Sequence, residues 1–286
     1  MPRDARASYV TIIRATVKEV PVPADSKVEE LHPPLRSRSK TWWVRLLSIA
    51  IVLIAWEIVG RRINPLFMSY PSAIVSAGIK MGTNGELASA MASSLRTLLS
   101  GFAIASVFGI ALGLPIGRYR LIEAATDWVV NALYATPLIA IIPLVILWFG
   151  LGDSAKLFIV TLVSIFPVLI NTASGVRNVP RALIDVGTAF AANERQVFLK
   201  IILPAVLPYI MTGLRLAIGR AIIGLVAAEF FTAITGLGAL IVKYGNQYDT
   251  ASMFVPILIL MFLGVSLTAV LRKLEEMAAP WRAHED

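Results

Sequence analysis

The stretch "DVGTAFAANERQVFLKIILPAVLP", Asp185 to Pro208, lies between two runs apolar enough to cross a membrane. It holds four charges, Asp185, Glu194, Arg195 and Lys200, among apolar residues at helical spacing. Leu183, Val186 and Phe190 recur as i, i+3, i+7, and Val197, Phe198, Ile201 and Ile202 continue the stripe after a break around Asn193. Two short helices joined near "AANER" would present the small residues Ala189, Ala191 and Ala192 beside an apolar flank, a surface suited to docking in a groove of a soluble partner. Pro204 and Pro208 are expected to stop the second helix and turn the chain into the next span.

The surroundings of that stretch are lipid-like. Of 286 residues 57% are apolar and only 15% charged, with a mean hydropathy of +0.75. A soluble domain is about 45–50% apolar and about 25% charged. The formal charge of +8 is then mainly a topology signal, with anionic headgroups its neighbours. No basic stripe with interleaved aromatics supports nucleic-acid binding. The absence of cysteine excludes disulfides, thiolate catalysis and Cys-based metal sites. His32 and His284 stand near the two ends, which argues against a histidine metal site. About forty polar residues precede the first apolar run, so no cleavable signal is expected.

Residues 1–41 read as a cytoplasmic tail, mostly disordered; "YVTIIRATVKEV" within it could be a docking helix or an extended segment. Six runs approach the ~20 apolar residues a bilayer needs: roughly 42–60, 97–117, 128–150, 156–175, 209–235 and 254–271. With the N-terminus inside, the inner side holds nine Lys and Arg from Arg3 to Arg45, together with Arg118, Arg120, Arg177, Arg181, Arg195, Lys200, Arg272, Lys273 and Arg282. The outer side holds only Arg61, Arg62, Lys80, Arg96, Lys156 and Lys243, so both termini are expected in the cytoplasm. "MSYPSAIVSAGIK" and "GELASAMASSL" resemble short helices lying in the outer interface. Trp281 is expected to fix the C-terminal end at the inner surface.

Gly101, Ala105, Gly109, Gly113 and Gly117 place a small residue at every fourth position of the second run, a groove for close helix packing. Packing within one subunit is the favoured reading, a sliding surface between subunits the alternative. Pro115, Pro137, Pro143, Pro167 and Pro256 interrupt the runs, as suits kinked helices around a pathway. Arg215 and Arg220 in the fifth run are expected to reach the cytoplasmic interface. Glu229 either lines or gates the pathway, or anchors the turn "TAITGLGAL" with Gly236 and Gly238. Asn131, Tyr134, Thr136, Asn171 and Thr172 are further polar candidates for the pathway lining.

Several function classes compete. A self-powered ATPase needs a phosphate-cradling G-x-x-x-x-G-K-[ST] loop, which is missing from the sequence. A membrane enzyme needs a converging catalytic constellation, and none is evident. A secondary transporter or channel, not powered by ATP, usually shows inverted repeats and paired broken helices, so it stands as the runner-up. A pore-forming subunit driven by a partner needs a rigid cytoplasmic handle, which the 180–208 segment supplies.

That segment resembles the cytoplasmic loop of ABC importer permeases, E-A-A, three residues, G, nine residues, I-x-L-P. Asp185, Val186 and Gly187 stand at the acidic-Ala-Ala positions, Ala191 at the glycine, and Ile201, Leu203 and Pro204 at I-x-L-P. With alanine at the glycine position, a helical link is expected there in place of a tight left-handed turn. "YPSAIVSA", "ATPLIAIIPLVILWFGLGDSAKLFIV", "FPVLINTASGVRNVPRALID" and "GLRLAIGRAIIGLVAAEF" are similar to the subfamily importing nitrate, sulfonates and taurine. The resemblance implies an all-α integral membrane fold of six transmembrane helices, the type I importer transmembrane domain, over residues 42–286. It implies a homodimer in a bacterial inner membrane, two cytoplasmic ATPases and an extracytoplasmic solute-binding protein. This chain would bind no cofactor; ATP and Mg would belong to the ATPase. Asp185 to Pro204 would form the coupling element, with Ala189, Phe190, Ala191, Ala192, Asn193 and Glu194 at its tip and Arg195 and Lys200 facing acidic groups of the ATPase.

Overall fold

The computed structural model describes residues 38–232 and 234–278. The predicted tail up to residue 37, its "YVTIIRATVKEV" segment and Trp281 lie outside the described residues. The chain divides into a unit of residues 1–51 and a larger one of 52–286. The first described helix, α1 (Arg38–Arg62), begins in the former; every later element belongs to the latter.

All regular structure among the described residues is helical. After α1 come α2 (Pro71–Thr83), α3 (Glu86–Arg118) and α4 (Arg120–Ala135). A 3₁₀ turn (Leu138–Ile141) leads into α5 (Ile142–Phe149), followed by α6 (Asp153–Arg177) and α7 (Arg181–Ala189). Then α8 (Glu194–Val197), a π turn (Phe198–Ile202) and α9 (Leu203–Thr232) form one helical stretch; α10 (Leu237–Asn246) and α11 (Thr250–Ala278) follow. Trp42–Arg62, α3, α6, Glu194–Thr232 and α11 are each long and apolar enough to span. The predicted third span is not one rod: α4 and the Leu138–Phe149 segment meet at 84°, and counted together as one broken span they bring the total to six.

The packing centres on α6, clasped by α3 on one side and α9 on the other. A Cβ built on Gly101 would come within 2.7 Å of the Val160 side chain, on Gly109 within 2.8 Å of Val168, and on Gly113 within 2.7 Å of the Leu169 carbonyl oxygen. Gly117 lies equally close to Val176, and Ala105 is fully buried. The five small residues therefore face α6 of the same chain, where any larger side chain would push the helices apart. On the opposite side Gly213 lies against the Pro167 carbonyl and Gly224 against Val163. The "GELASAMASSL" segment, expected as a separate surface helix, is instead the start of α3, with Ala90 and Ser94 buried. In α2, Ile74, Ala77 and Met81 turn into a cluster with Leu237, Leu240, Val255 and Leu260.

The prolines act differently from one another. Pro115, Pro167 and Pro256 lie inside continuous helices, and Pro143 sits at the start of α5 where its missing N–H costs no bond. Only Pro137 accompanies a break. Pro204 and Pro208, expected to end the coupling helix, do not: helix continues through both. The π turn explains how. The ring of Pro204 would clash with the carbonyl four residues earlier, and widening the preceding turn relieves it, so that the Leu203 N–H donates to Phe198 O, five residues back.

Candidate functional site

The polar segment folds into a capped double helix that leaves one apolar face unoccupied. In α7 Gly187 is buried, and a Cβ there would lie 2.6 Å from Ile201 Cδ1, so a side chain at the third position of the acidic-Ala-Ala triplet would displace the end of Ile201. Ile184 and, beyond the turn, Ala192, Val197, Ile201 and Ile202 pack with Val176, Val179, Val206 and Ile210. The predicted continuous stripe is therefore split. Its second half is core, whereas Leu183, Val186 and Phe190 point away from the protein, Phe190 being 84% exposed. Asp185, Ala189, Glu194 and Arg195 are exposed beside them.

The turn between the helices corrects the expectation at Ala191. Its φ is 54°, the left-handed conformation that glycine would supply, and not a helical link. The Ala191 N–H donates to Thr188 O at 2.9 Å and the Ala192 N–H to Gly187 O at 3.1 Å, the paired bonds of a Schellman cap. Those bonds hold alanine where its Cβ is disfavoured. Asn193 then starts α8 with a capping box: its side chain accepts from the Gln196 N–H and its own N–H donates to Gln196 Oε1, both at 2.9 Å. The N-E-R-Q spacing, Asn193 to Gln196, is the sequence signal of that cap.

A second feature lies at the break of the third span. Tyr134, Thr136, Pro137, Ile139, Arg220 and Ile223 border a cavity of about 350 Å³. Arg220 Nη2 donates to the Tyr134 hydroxyl at 2.9 Å, and the guanidinium carbon lies 4.9 Å from the ring centroid. The Thr136 hydroxyl donates to Ala132 O at 2.8 Å. The other polar candidates lie elsewhere. Asn131 donates to Asp127 on α4, Asn171 to Pro167 O, and the fully buried Thr172 packs on Gly113. Asn171 and Thr172 thus make these contacts inside the α3–α6–α9 core. Of the two arginines of the fifth run, Arg215 pairs with Glu275, past the predicted end of the last span on α11, and Arg220 donates to Tyr134.

Glu229 is fully buried, and its carboxyl group is hydrogen-bonded at the turn before α10. Ser94 donates to its Oε1 at 2.6 Å and the Gly238 N–H to its Oε2 at 2.7 Å, while the Leu237 N–H donates to Ser94 Oγ at 2.8 Å. The carboxylate thus satisfies donors at the start of α10. Gly236, at φ 109°, and Gly238 lie so close to the carboxylate that a Cβ on either would overlap it. Beside them Lys156, treated as an outer surface charge from the sequence, is buried; its ammonium donates to Thr235 Oγ1 at 2.6 Å and to Thr235 O at 3.2 Å.

Residues 105–277 match the family described as the binding-protein-dependent transport system inner membrane component. The chain belongs to that family. The permease is 34% identical over 241 residues to a putative ABC transporter permease of Methanocaldococcus jannaschii, covering 82% of this chain and 90% of that one. It is 33% identical to the putative aliphatic sulfonates transport permease SsuC of Escherichia coli, covering 85% and 94%. A crystal structure of an amino acid ABC transporter shares the fold, with a TM-score of 0.53 at 14% identity over 71% of this chain and 97% of that one. The permease is accordingly a multi-pass ABC importer subunit of the inner membrane, a transport protein, and residues 181–220 lie within the matched region.

Proposed function

We propose that the permease pairs with a second copy to form one pathway for a small anionic solute, driven by two cytoplasmic ATPases that bind ATP and Mg. A solute-binding protein delivers the solute on the opposite side of the membrane, and both termini of the permease face the cytoplasm. One observation carries the coupling role: Leu183, Val186 and Phe190 form an exposed apolar face on a turn fixed by a Schellman cap and a capping box. A face that is apolar, rigid and outside the predicted spans suits insertion into a groove of a soluble partner. Arg195 and Lys200 flank it with positive charge for acidic groups of that partner.

Closure of the ATPase pair on ATP moves the two loops together. Helix runs unbroken from Glu194 to Thr232, so that movement passes directly into α9 and the core it shares with α6. The result is a ligand-biased switch between inward and outward access. Kinship with the sulfonate permease supports an anionic solute, since a sulfonate is charged at every physiological pH.

The test is reconstitution in proteoliposomes with the ATPase and binding protein encoded beside the permease. Uptake of ethanesulfonate should require ATP, and F190D should abolish uptake while the permease keeps its thermal stability. Uptake without the ATPase, or unchanged uptake by F190D, overturns the reading.

A further inference from the structure

Arg220 occupies an unusual place for a charge. It lies inside α9, one of the helices long and apolar enough to span, about 18 Å along the helix from Thr232 and about 26 Å from Leu203. Leu216, Gly219, Arg220 and Ile223 share one helix face at i, i+3, i+4, i+7 and all are exposed in the single chain. A Cβ at Gly219 would touch nothing. An arginine on such a face of a membrane-spanning helix belongs against protein or water, not lipid.

The break in the third span points the same way from independent backbone evidence. Between α4 and the 3₁₀ turn, Thr136 and Pro137 have non-helical ψ values of 134° and 89°. Backbone outside a helix is tolerated at membrane depth only in protein or around a water-filled cavity. Break and guanidinium border the same cavity of about 350 Å³. Among the described residues no carboxylate pairs with Arg220, in contrast to Arg215 with Glu275. The Tyr134 oxygen accepts from Arg220, which leaves the phenol hydrogen to donate.

We propose that Arg220, steadied by Tyr134 beside the break in the third span, is where the permease attracts and selects an anion inside the membrane. The inference rests on the anionic-solute reading above and adds the residues that recognise the charge. An oxyanion would meet the planar guanidinium donors and the Tyr134 O–H, while cations would be repelled. A single arginine in a wet cavity holds its ligand weakly, which suits a solute that must leave again.

The chain has no cysteine, so Thr136→Cys supplies its sole thiol, at the cavity. In the assembled complex with its ATPase and binding protein, labelling of this chain is followed by mass spectrometry. The reagents are an anionic methanethiosulfonate, whose charged end is itself a sulfonate, a trimethylammonium one and a neutral one. The anionic reagent should be favoured over the cationic one, and adding R220Q should lower that preference about tenfold, with R220K keeping most of it. The neutral reagent should label both backgrounds at the same rate. A preference unchanged by R220Q, or a thiol that no reagent reaches, overturns the proposal. A wild-type complex that fails to take up ethanesulfonate would instead sink the solute assignment, since the labelling preference does not depend on uptake.

Discussion

The hydroxyl of Ser94 lies 2.6 Å from Glu229 Oε1 and ties together positions 135 residues apart. Because Ser94 already accepts from the Leu237 N–H, its hydrogen is committed to Glu229, and Gly238 offers a second N–H to the other oxygen. The pocket therefore calls for two acceptors. Glu229→Gln supplies one and turns an N–H₂ toward a donor, which should cost about 1–3 kcal/mol of stability. Ser94→Ala should cost a similar amount by stranding the Leu237 N–H. Thermal unfolding in detergent, set beside uptake per folded molecule, checks this. A Glu229→Gln protein of normal stability that no longer transports would move Glu229 from anchor to pathway.

Ala191 tests whether the coupling turn is strained. Its φ of 54° costs an alanine about 1 kcal/mol that a glycine does not incur. Ala191 is exposed, so Ala191→Gly removes the strain without opening a cavity. The expected outcome is a rise in unfolding free energy of about 1 kcal/mol with ATPase coupling unchanged. Ala191→Val, β-branched and further disfavoured at positive φ, should lower stability. A glycine variant less stable than the parent would show that the left-handed turn is not what the native loop adopts.

These two sites also show how far the sequence was legible. Five spans followed from length and apolarity, because a bilayer imposes both. The third run, 128–150, looked the same, yet it is bent by 84°, since apolar counting is blind to direction and Pro137 was one proline among several tolerated ones. The spacing of the coupling motif was readable, but not the conformation at Ala191, which local propensity opposes and the bonds to Thr188 and Gly187 enforce. Glu229, Arg215 and Arg220 stood out as charges in lipid. Their partners Ser94, Glu275 and Tyr134 were not readable, being brought together only by tertiary packing.

Phe190 should contribute to assembly and not to folding. At 84% exposure its ring is almost unsupported by the rest of the chain, so Phe190→Ala should leave the unfolding temperature of the isolated permease unchanged. If the ring fills a groove of the ATPase, its loss should weaken the complex by about 2–4 kcal/mol, roughly 30-fold or more in Kd. Titrating purified ATPase against permease in nanodiscs measures this directly. Ala192 is a poorer probe, because it packs on the Val176–Val206 cluster and a larger residue there would disturb the fold itself. Equal affinity for Phe190→Ala and the parent would remove the docking role from this face.

The glycines of the α3–α6 seam offer a contrast between equal changes in different surroundings. At Gly113 an added Cβ would sit 2.7 Å from both the Leu169 carbonyl oxygen and Thr172 Cβ, where backbone cannot yield cheaply. Gly113→Ala should therefore spread the two helices and cost about 1–3 kcal/mol. Gly82, in the last turn of α2, has no atom within 4 Å of the same added methyl. There alanine only restricts the unfolded chain and favours helix, so Gly82→Ala should be neutral or stabilising by up to about 1 kcal/mol. Both substitutions change one hydrogen to one methyl, so hydrophobicity alone predicts the same sign for each. Opposite shifts in unfolding temperature would show that the stripe acts through contact distance; a Gly113→Ala protein as stable as the parent would mean the seam has slack that the packing denies.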